Sequence, residues 1–322
     1  MIYDIAVVGA GAAGTQAMLR AVLNNDSCLF FTGTKKDQKK SRAFWVSKVE
    51  NMPAHFQYKK GIVQPLQEVV EFVRQSDFAE KLSMQENVGV EELKKNADGL
   101  FEIKDSLQKT HLARYVILCT GVMDVQPVIK GSIKPILPYA NVQLADYCLR
   151  CDGHHVIHKN VGIIGTDTSS VWVAVMLVER YPVLSMTVFT HGKSLKLSDE
   201  LLSLQKKYQI TIVEESIEGF QGEAKENKLE ALHLSDGKQV AVDIIFVSLG
   251  MIVYNQLAKG LGADLDERGF VKTNDKGMST IEGLFIAGDL RANTKKQIYT
   301  AWDTAVDAAD EINLRLRRMR RQ

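Results

Sequence analysis

Short apolar runs alternate with amphipathic stretches along most of the chain. Ile5–Val8 is a continuous apolar run, the pattern of a strand buried on both faces. Ala12–Leu23 follows with apolar residues at helical spacing and predicts a helix. Tyr115–Cys119, Val161–Ile164, Met186–Phe189, Ile210–Val213, Ile244–Ser248 and Leu284–Ala287 predict further strands. Ser170–Arg180 predicts a second helix and Thr300–Leu316 a closing one. Strands that alternate with helices imply an α/β fold with parallel sheets.

The pattern also repeats. VVGAGAAGTQAMLRAV (Val7–Val22) aligns without a gap on IIGTDTSSVWVAVMLV (Ile163–Val178). Gly9 then matches Gly165, Gly11 matches Asp167, and Gly14 matches Ser170. Each copy is an apolar strand, a tight turn and an apolar helix, so two Rossmann-like nucleotide-binding domains are expected. The length of 322 residues fits this pair, at roughly 150 residues per domain.

Composition narrows the picture by exclusion. Hydrophobic residues make up 45% and charged residues 25%, which excludes a disordered chain or a disulfide-stapled miniprotein. Lys+Arg 40 against Asp+Glu 39 leaves a net charge of +1, so no nucleic-acid partner is expected. No apolar run reaches the roughly 18 residues that span a bilayer, so no membrane partner is expected either. The N-terminus has no basic n-region and no cleavage site, and the expected location is cytoplasmic.

The first fingerprint is intact. Gly9-Ala10-Gly11-Ala12-Ala13-Gly14 reads G-x-G-x-x-G between an apolar strand and a helix, the context this motif requires. Gly9 permits the turn, Gly11 lets backbone approach a pyrophosphate, and Gly14 lets helix pack on strand. The helix N-terminus then offers free N–H groups to phosphate.

The second fingerprint is damaged. It reads Gly165-Thr166-Asp167-Thr168-Ser169-Ser170. Asp167 obstructs the close approach and repels phosphate. Two unit charges 4 Å apart repel by roughly 4 kcal/mol at an effective dielectric of about 20, or about three decades of affinity.

Four cysteines are present, at 28, 119, 148 and 151. Cys28 starts an apolar run and Cys119 ends one, as expected of buried thiols. Cys148-Leu149-Arg150-Cys151 has C-x-x-C spacing, which suits redox chemistry or a metal. His154, His155 and His158 follow. Two Cys and two His could make a zinc set, although Cys151 and His154 are too close for a usual finger. The histidines otherwise read as a polar loop or as proton-transfer groups.

These segments resemble the low-molecular-weight thioredoxin reductases, FAD-dependent disulfide oxidoreductases, in order and over almost the whole chain. Cys148–Gly153 matches their C-x-x-C-D-G, and Ala287-Gly288-Asp289 ends a strand like their second flavin motif. Val116–Gly121 resembles their "ATG" strand with Cys119 in the Ala place. Val49-Glu50-Asn51-Met52-Pro53 resembles "VENWPG", and Lys296-Gln297 resembles "RQ".

The resemblance implies FAD, held by Gly9, Gly11, Ala12, Ala13, Gly14, Asn51, Thr120, Gly121, Gly288, Asp289, Gln297 and Ile298. It implies catalysis by Cys148, Cys151 and Asp152, with Cys151 on the flavin side and Cys148 exchanging with a thioredoxin-like substrate. Asp152 is then the general acid–base, and Arg150 stands between the thiols. The implied FAD-binding domain is discontinuous, 1–117 and 247–322, and 118–246 carries the dithiol. Family members are homodimers whose domains rotate about the crossing strands.

Several positions depart from the family. Its "GGQ" loop becomes Thr34–Lys40, and its "SAGTG" becomes Thr300–Ala305, which places Trp302 either in the core or on the flavin. The arginines that grip the NADPH 2′-phosphate are replaced by Thr190–Lys196, where Lys193 and Lys196 cannot reproduce a bidentate guanidinium. With Asp167, this points away from NADPH as donor and toward ferredoxin or a second FAD, as in family branches without a pyridine-nucleotide site. Lys35, Lys36, Lys39 and Lys40, and the arginines at 315, 317, 318, 320 and 321, offer basic patches to an acidic donor. The rival readings are an NADPH-dependent enzyme with an atypical pocket and a non-catalytic redox sensor.

Overall fold

The computed structural model describes residues 1–46 and 48–322. The chain divides into two compact units. One comprises Met1–Val46, Lys60–Met123 and Ile252–Gln322; the other comprises Ser47–Lys59 and Asp124–Met251.

The first unit is built on a seven-stranded sheet. Its order is Leu82–Gln85, Cys28–Phe31, Ile2–Val8, Thr110–Leu118, Phe101–Asp105 and Val90–Lys95. The first four are parallel, and Leu284–Ile286 adds in parallel to residues 116–118. The last two join antiparallel, with Phe101–Asp105 paired to residues 110–113. The buried run of the sequence places alternate side chains on opposite faces. Ile5 and Val7 join the core under the helices Ala12–Leu23 and Ile298–Met319, whereas Ala6 and Val8 join the core on the other face.

Those two helices pack through small residues, Ala13, Ala17 and Ala21 against Ala301, Ala305 and Ala308, which lets helix axes approach closely. Arg20 clamps Asp310 in a bidentate pair with donor distances of 2.6 and 3.0 Å. Both side chains are well exposed, so the pair adds at most about 1 kcal/mol.

The second unit repeats the plan. Its parallel sheet has the order Thr211–Val213, Ser185–Phe189, Asn160–Ile164, Ile244–Val247 and Ala145–Asp146. The helices Thr168–Arg180 and Asp199–Lys207 bury Val171, Ala174, Val175, Leu177 and Leu201 in its core. A separate antiparallel meander, Ile217–Gln221, Ala231–Leu234 and Gln239–Ala241, covers the other face. The fold is thus α/β with two Rossmann-like sheets, as the repeat predicts. Among the described residues no helix is long and apolar enough to cross a membrane.

Candidate active site

In the first unit, three loops leave the C-terminal ends of adjacent parallel strands, where open α/β sheets bind ligands. Backbone bonds fix them side by side. Gly9 N–H donates to Phe31 O, Cys119 N–H to Val8 O, and Ala287 N–H to Leu118 O, at 3.0, 2.8 and 3.1 Å.

The glycines of the first loop do different jobs. Gly9 has φ +108°, and a Cβ there would lie 2.5 Å from Cys119 O. A Cβ on Gly14 would lie 1.7 Å from Gly9 O, so only glycine lets the helix sit this close. Gly11 is the N-cap of the Ala12–Leu23 helix; among the described residues no side chain caps the helix, and beyond Gly11 and its chain neighbours none comes within 4 Å of the point a Gly11 Cβ would occupy. That helix end is an open cradle of N–H groups, as a dinucleotide pyrophosphate requires.

The other expected cofactor residues of this unit surround the same strand ends. Ala12 and Ala13 open the helix. Thr120 donates to Tyr254 O at 2.6 Å, and Gly121 follows with φ +66°. Gly288 has φ +71°, sits 2.8 Å (from its would-be Cβ) from Ala13 Cβ, and donates its N–H to Thr304 Oγ1. Asp289 pairs with Arg42 at 3.3 Å. Gln297 is buried at the N-cap position of the 22-residue helix that Ile298 begins, without a side-chain capping bond. Burial pushes the neighbouring Lys296 ammonium down to about 8, against the pull of Asp289. Asn51 lies instead in the stretch grouped with the second unit. Trp302 is half-buried.

The second unit carries the dithiol. Cys148 and Cys151 form a disulfide, with S–S 2.09 Å and Cα–Cα 5.3 Å. Cys148 caps the short helix Leu149–Asp152, and Cys151 N–H donates to Cys148 Sγ at 3.2 Å. The Asp152 carboxylate lies within 4.8 Å of both sulfurs. Arg150 is exposed. Cys28 and Cys119, in the first unit, are free and buried, and burial pushes both thiols up.

Two groups of this site were not legible in the sequence. Asp146 ends the sheet-edge strand and is buried. Glu50 arrives from the segment that precedes most of the unit. His155 lies between them, Nδ1 at 2.8 Å from Asp146 and Nε2 at 2.7 Å from Glu50. The Asp146 hydrogen bond leads in raising the His155 pKa to about 9. Burial pushes the Asp146 carboxyl up, and His155 pulls it back. The His155 bond holds Glu50 below the usual range. His154 is exposed, 3.3 Å from Glu50.

The second fingerprint helix is closed where the first is open. Asp167 is its N-cap, and its carboxylate accepts the Ser169 N–H at 2.8 Å. Ser170, in place of the third glycine, is buried and donates to Asp167 O at 2.6 Å.

Two nucleotide-type sheets, one with an open cradle and one with a redox disulfide, define a two-domain disulfide oxidoreductase. The chain belongs to the pyridine nucleotide-disulphide oxidoreductase family, whose sequence model matches residues 3–309. It is 24% identical to a thioredoxin reductase of Treponema pallidum over 95% of both chains. It is also 24% identical to a thioredoxin reductase of Bacillus subtilis, covering 97% of this chain and 94% of that one. A putative thioredoxin reductase from Bacillus anthracis shares the fold with TM-score 0.81 and 22% identity over 99% of both chains. The thioredoxin reductase from Streptococcus pyogenes does so with TM-score 0.82 and 20% identity over 98% of both.

Proposed function

We propose that this chain is an FAD-dependent disulfide reductase that reduces a thioredoxin-like protein through Cys148 and Cys151 and takes its electrons from a donor other than NADPH. The open helix end at Gly11 fits a dinucleotide. FAD would be held there by Gly9, Gly11, Ala12, Ala13 and Gly14, with Thr120, Gly121, Gly288, Asp289, Gln297, Ile298 and Asn51. Residues 1–117 and 247–322 form the FAD-binding domain in this reading, and 118–246 the dithiol domain. When bound, FAD supplies the electron pair that opens the disulfide.

The chain's own residues do the rest. Cys148, as thiolate, attacks the substrate disulfide and forms a mixed disulfide. The Cys151 N–H that points at Cys148 Sγ favours this thiolate. Cys151 then loses its proton, attacks Cys148 Sγ and releases the second substrate sulfur. Asp152, within reach of both sulfurs, holds and returns that proton.

The observation that carries the donor claim is the Asp167 carboxylate on the Ser169 N–H. It fills with the chain's own charge the position a pyridine-nucleotide pyrophosphate would take. Thr190–Lys196 adds no arginine to compensate. The donor is then a ferredoxin-type protein or a second flavin. The enzyme works as a cytoplasmic homodimer in this reading. The family's description, pyridine nucleotide-disulphide oxidoreductase, favours the other reading, an NADPH-dependent enzyme.

Anaerobic titration with NADPH, then with reduced ferredoxin, separates the two. Flavin absorbance should resist NADPH and bleach with ferredoxin; stoichiometric bleaching by NADPH would overturn the donor claim.

A further inference from the structure

We propose that Arg42 grips the diphosphate of the dinucleotide in the first unit, a role that rests on the FAD reading above. Arg42 belongs to none of the motifs read from the sequence. It reaches the cradle through Asp289, to whose Oδ2 its Nη1 donates at 3.3 Å. Asp289 follows Gly288, whose would-be Cβ lies 2.8 Å from Ala13 Cβ in the first turn of the Ala12–Leu23 helix. The carboxylate therefore stands one residue from the turn that abuts the open N–H groups, and the guanidinium stands beside it. The two side chains are 19% and 21% exposed, so water screens them less than a surface pair.

The segment around Arg42 is held in this place. Ser41 Oγ accepts the Ala43 N–H at 3.2 Å and caps the short helix Arg42–Trp45. Trp45 Nε1 donates to Lys39 O at 2.6 Å. Tyr254 Oη donates to Lys40 O at 3.1 Å, and Tyr254 O accepts the Thr120 hydroxyl at 2.6 Å. The segment is thus tied to the Thr120 loop, which leaves the strand beside Ile2–Val8.

Charge explains why a cation is needed here. A helix end supplies only about half a positive charge. A diphosphate is ionised at neutral pH, and Asp289 adds a further negative charge next to it. Alone, that carboxylate would repel the ligand that the N–H groups attract.

Lys296 also faces Asp289. Its ammonium, however, donates to Arg291 O and Thr294 Oγ1 and sits over the Phe270 ring, 4.0 Å from the centroid. Arg42 has the better geometry for an anion. A guanidinium carries its donors in a fixed planar fork, which can span a carboxylate and a phosphate together. The bond to Asp289 orients that fork before the ligand arrives, so less freedom is lost on binding. Asp289 then acts as the holder of the cation as well as a cofactor residue.

The test titrates the full-length apoprotein with FAD and with ADP, which carries the same diphosphate but no ribityl chain or flavin ring. Calorimetry reads both affinities and needs neither electron donor nor thioredoxin. Arg42→Gln should weaken both ligands about ten- to hundredfold. Arg42→Lys keeps the charge without the fork and should weaken both by less; it guards against misfolding of the first variant, and parental affinity in it would overturn the grip. Asp289→Asn should tighten ADP, because a repelling charge is removed. Arg42→Gln added to Asp289→Asn should still weaken ADP about tenfold or more. Equal ADP affinity in Asp289→Asn and the double variant would overturn the proposal, since Arg42 would then act only by neutralising Asp289. A parent that binds ADP but not FAD would overturn the flavin reading while the ADP series still decides Arg42, so the two failures are distinct.

Discussion

The Ala12–Leu23 helix opens on a bare glycine, and the Thr168–Arg180 helix opens on a carboxylate. The strands before them, the turns and the buried helix faces are otherwise of one plan. One position, Gly11 against Asp167, separates a helix end that awaits an anion from one that already has it. A duplicated fold can therefore keep its packing while its helix end changes: Ser170 stands buried in the place of Gly14, whereas Asp167 in the place of Gly11 caps the helix with a carboxylate.

The largest effect should come from breaking the packing side of this contrast. Gly14→Val would force a Cβ to within 1.7 Å of Gly9 O, and should cost about 3 kcal/mol or more. Denaturant unfolding checks it; an unchanged midpoint would mean the helix can retreat from the turn.

Gly11→Asp copies the second fingerprint onto the first. Space is free at the would-be Cβ, so the apoprotein should fold and gain a few tenths of a kcal/mol from a new cap. FAD affinity should drop about a thousandfold from charge repulsion. Flavin binding isotherms beside apoprotein melts read both signs at once.

The second unit places its charge at the dithiol instead. The His155 pKa is raised to about 9, so its contribution is complete below the unfolded value of about 6.5 and is lost as pH rises to about 9. Stability should fall by roughly 2 kcal/mol across that window. His155→Gln should flatten that slope in urea unfolding at a series of pH values; an equal slope in both proteins would assign it elsewhere.

The smallest change is Asp167→Gly, which should cost only a few tenths of a kcal/mol. If the proposed donor reading holds, calorimetry should then detect NADPH binding tighter than in the parent. The gain should stay short of three decades, because Thr190–Lys196 still offers no arginine fork. No gain at all would show that Asp167 is not the block.

Much of the scaffold was legible because fully buried parallel strands write continuous apolar runs. Ile2–Val8, Asn160–Ile164 and Ile244–Val247 overlap the expected runs within a few residues. Val90–Lys95, with the sequence VEELKK, escaped that reading because only Leu93 is fully buried and the partner strand, not its own pattern, defines it. The glycines and the C-x-x-C were legible as local motifs. The partners of His155 were not, since Glu50 lies 105 residues away and meets it only through tertiary folding. Asp167 was legible as a departure from the glycine fingerprint; its capping of its own helix required the backbone geometry.

That cap has a further consequence. The carboxylate is tethered two residues from the amide it binds, so its effective concentration matches or exceeds the millimolar level of free metabolites. In the reading proposed above, a helix end with a built-in counterion competes with phosphate and nucleotide for its own N–H groups. A change at position 167 would remove that competitor.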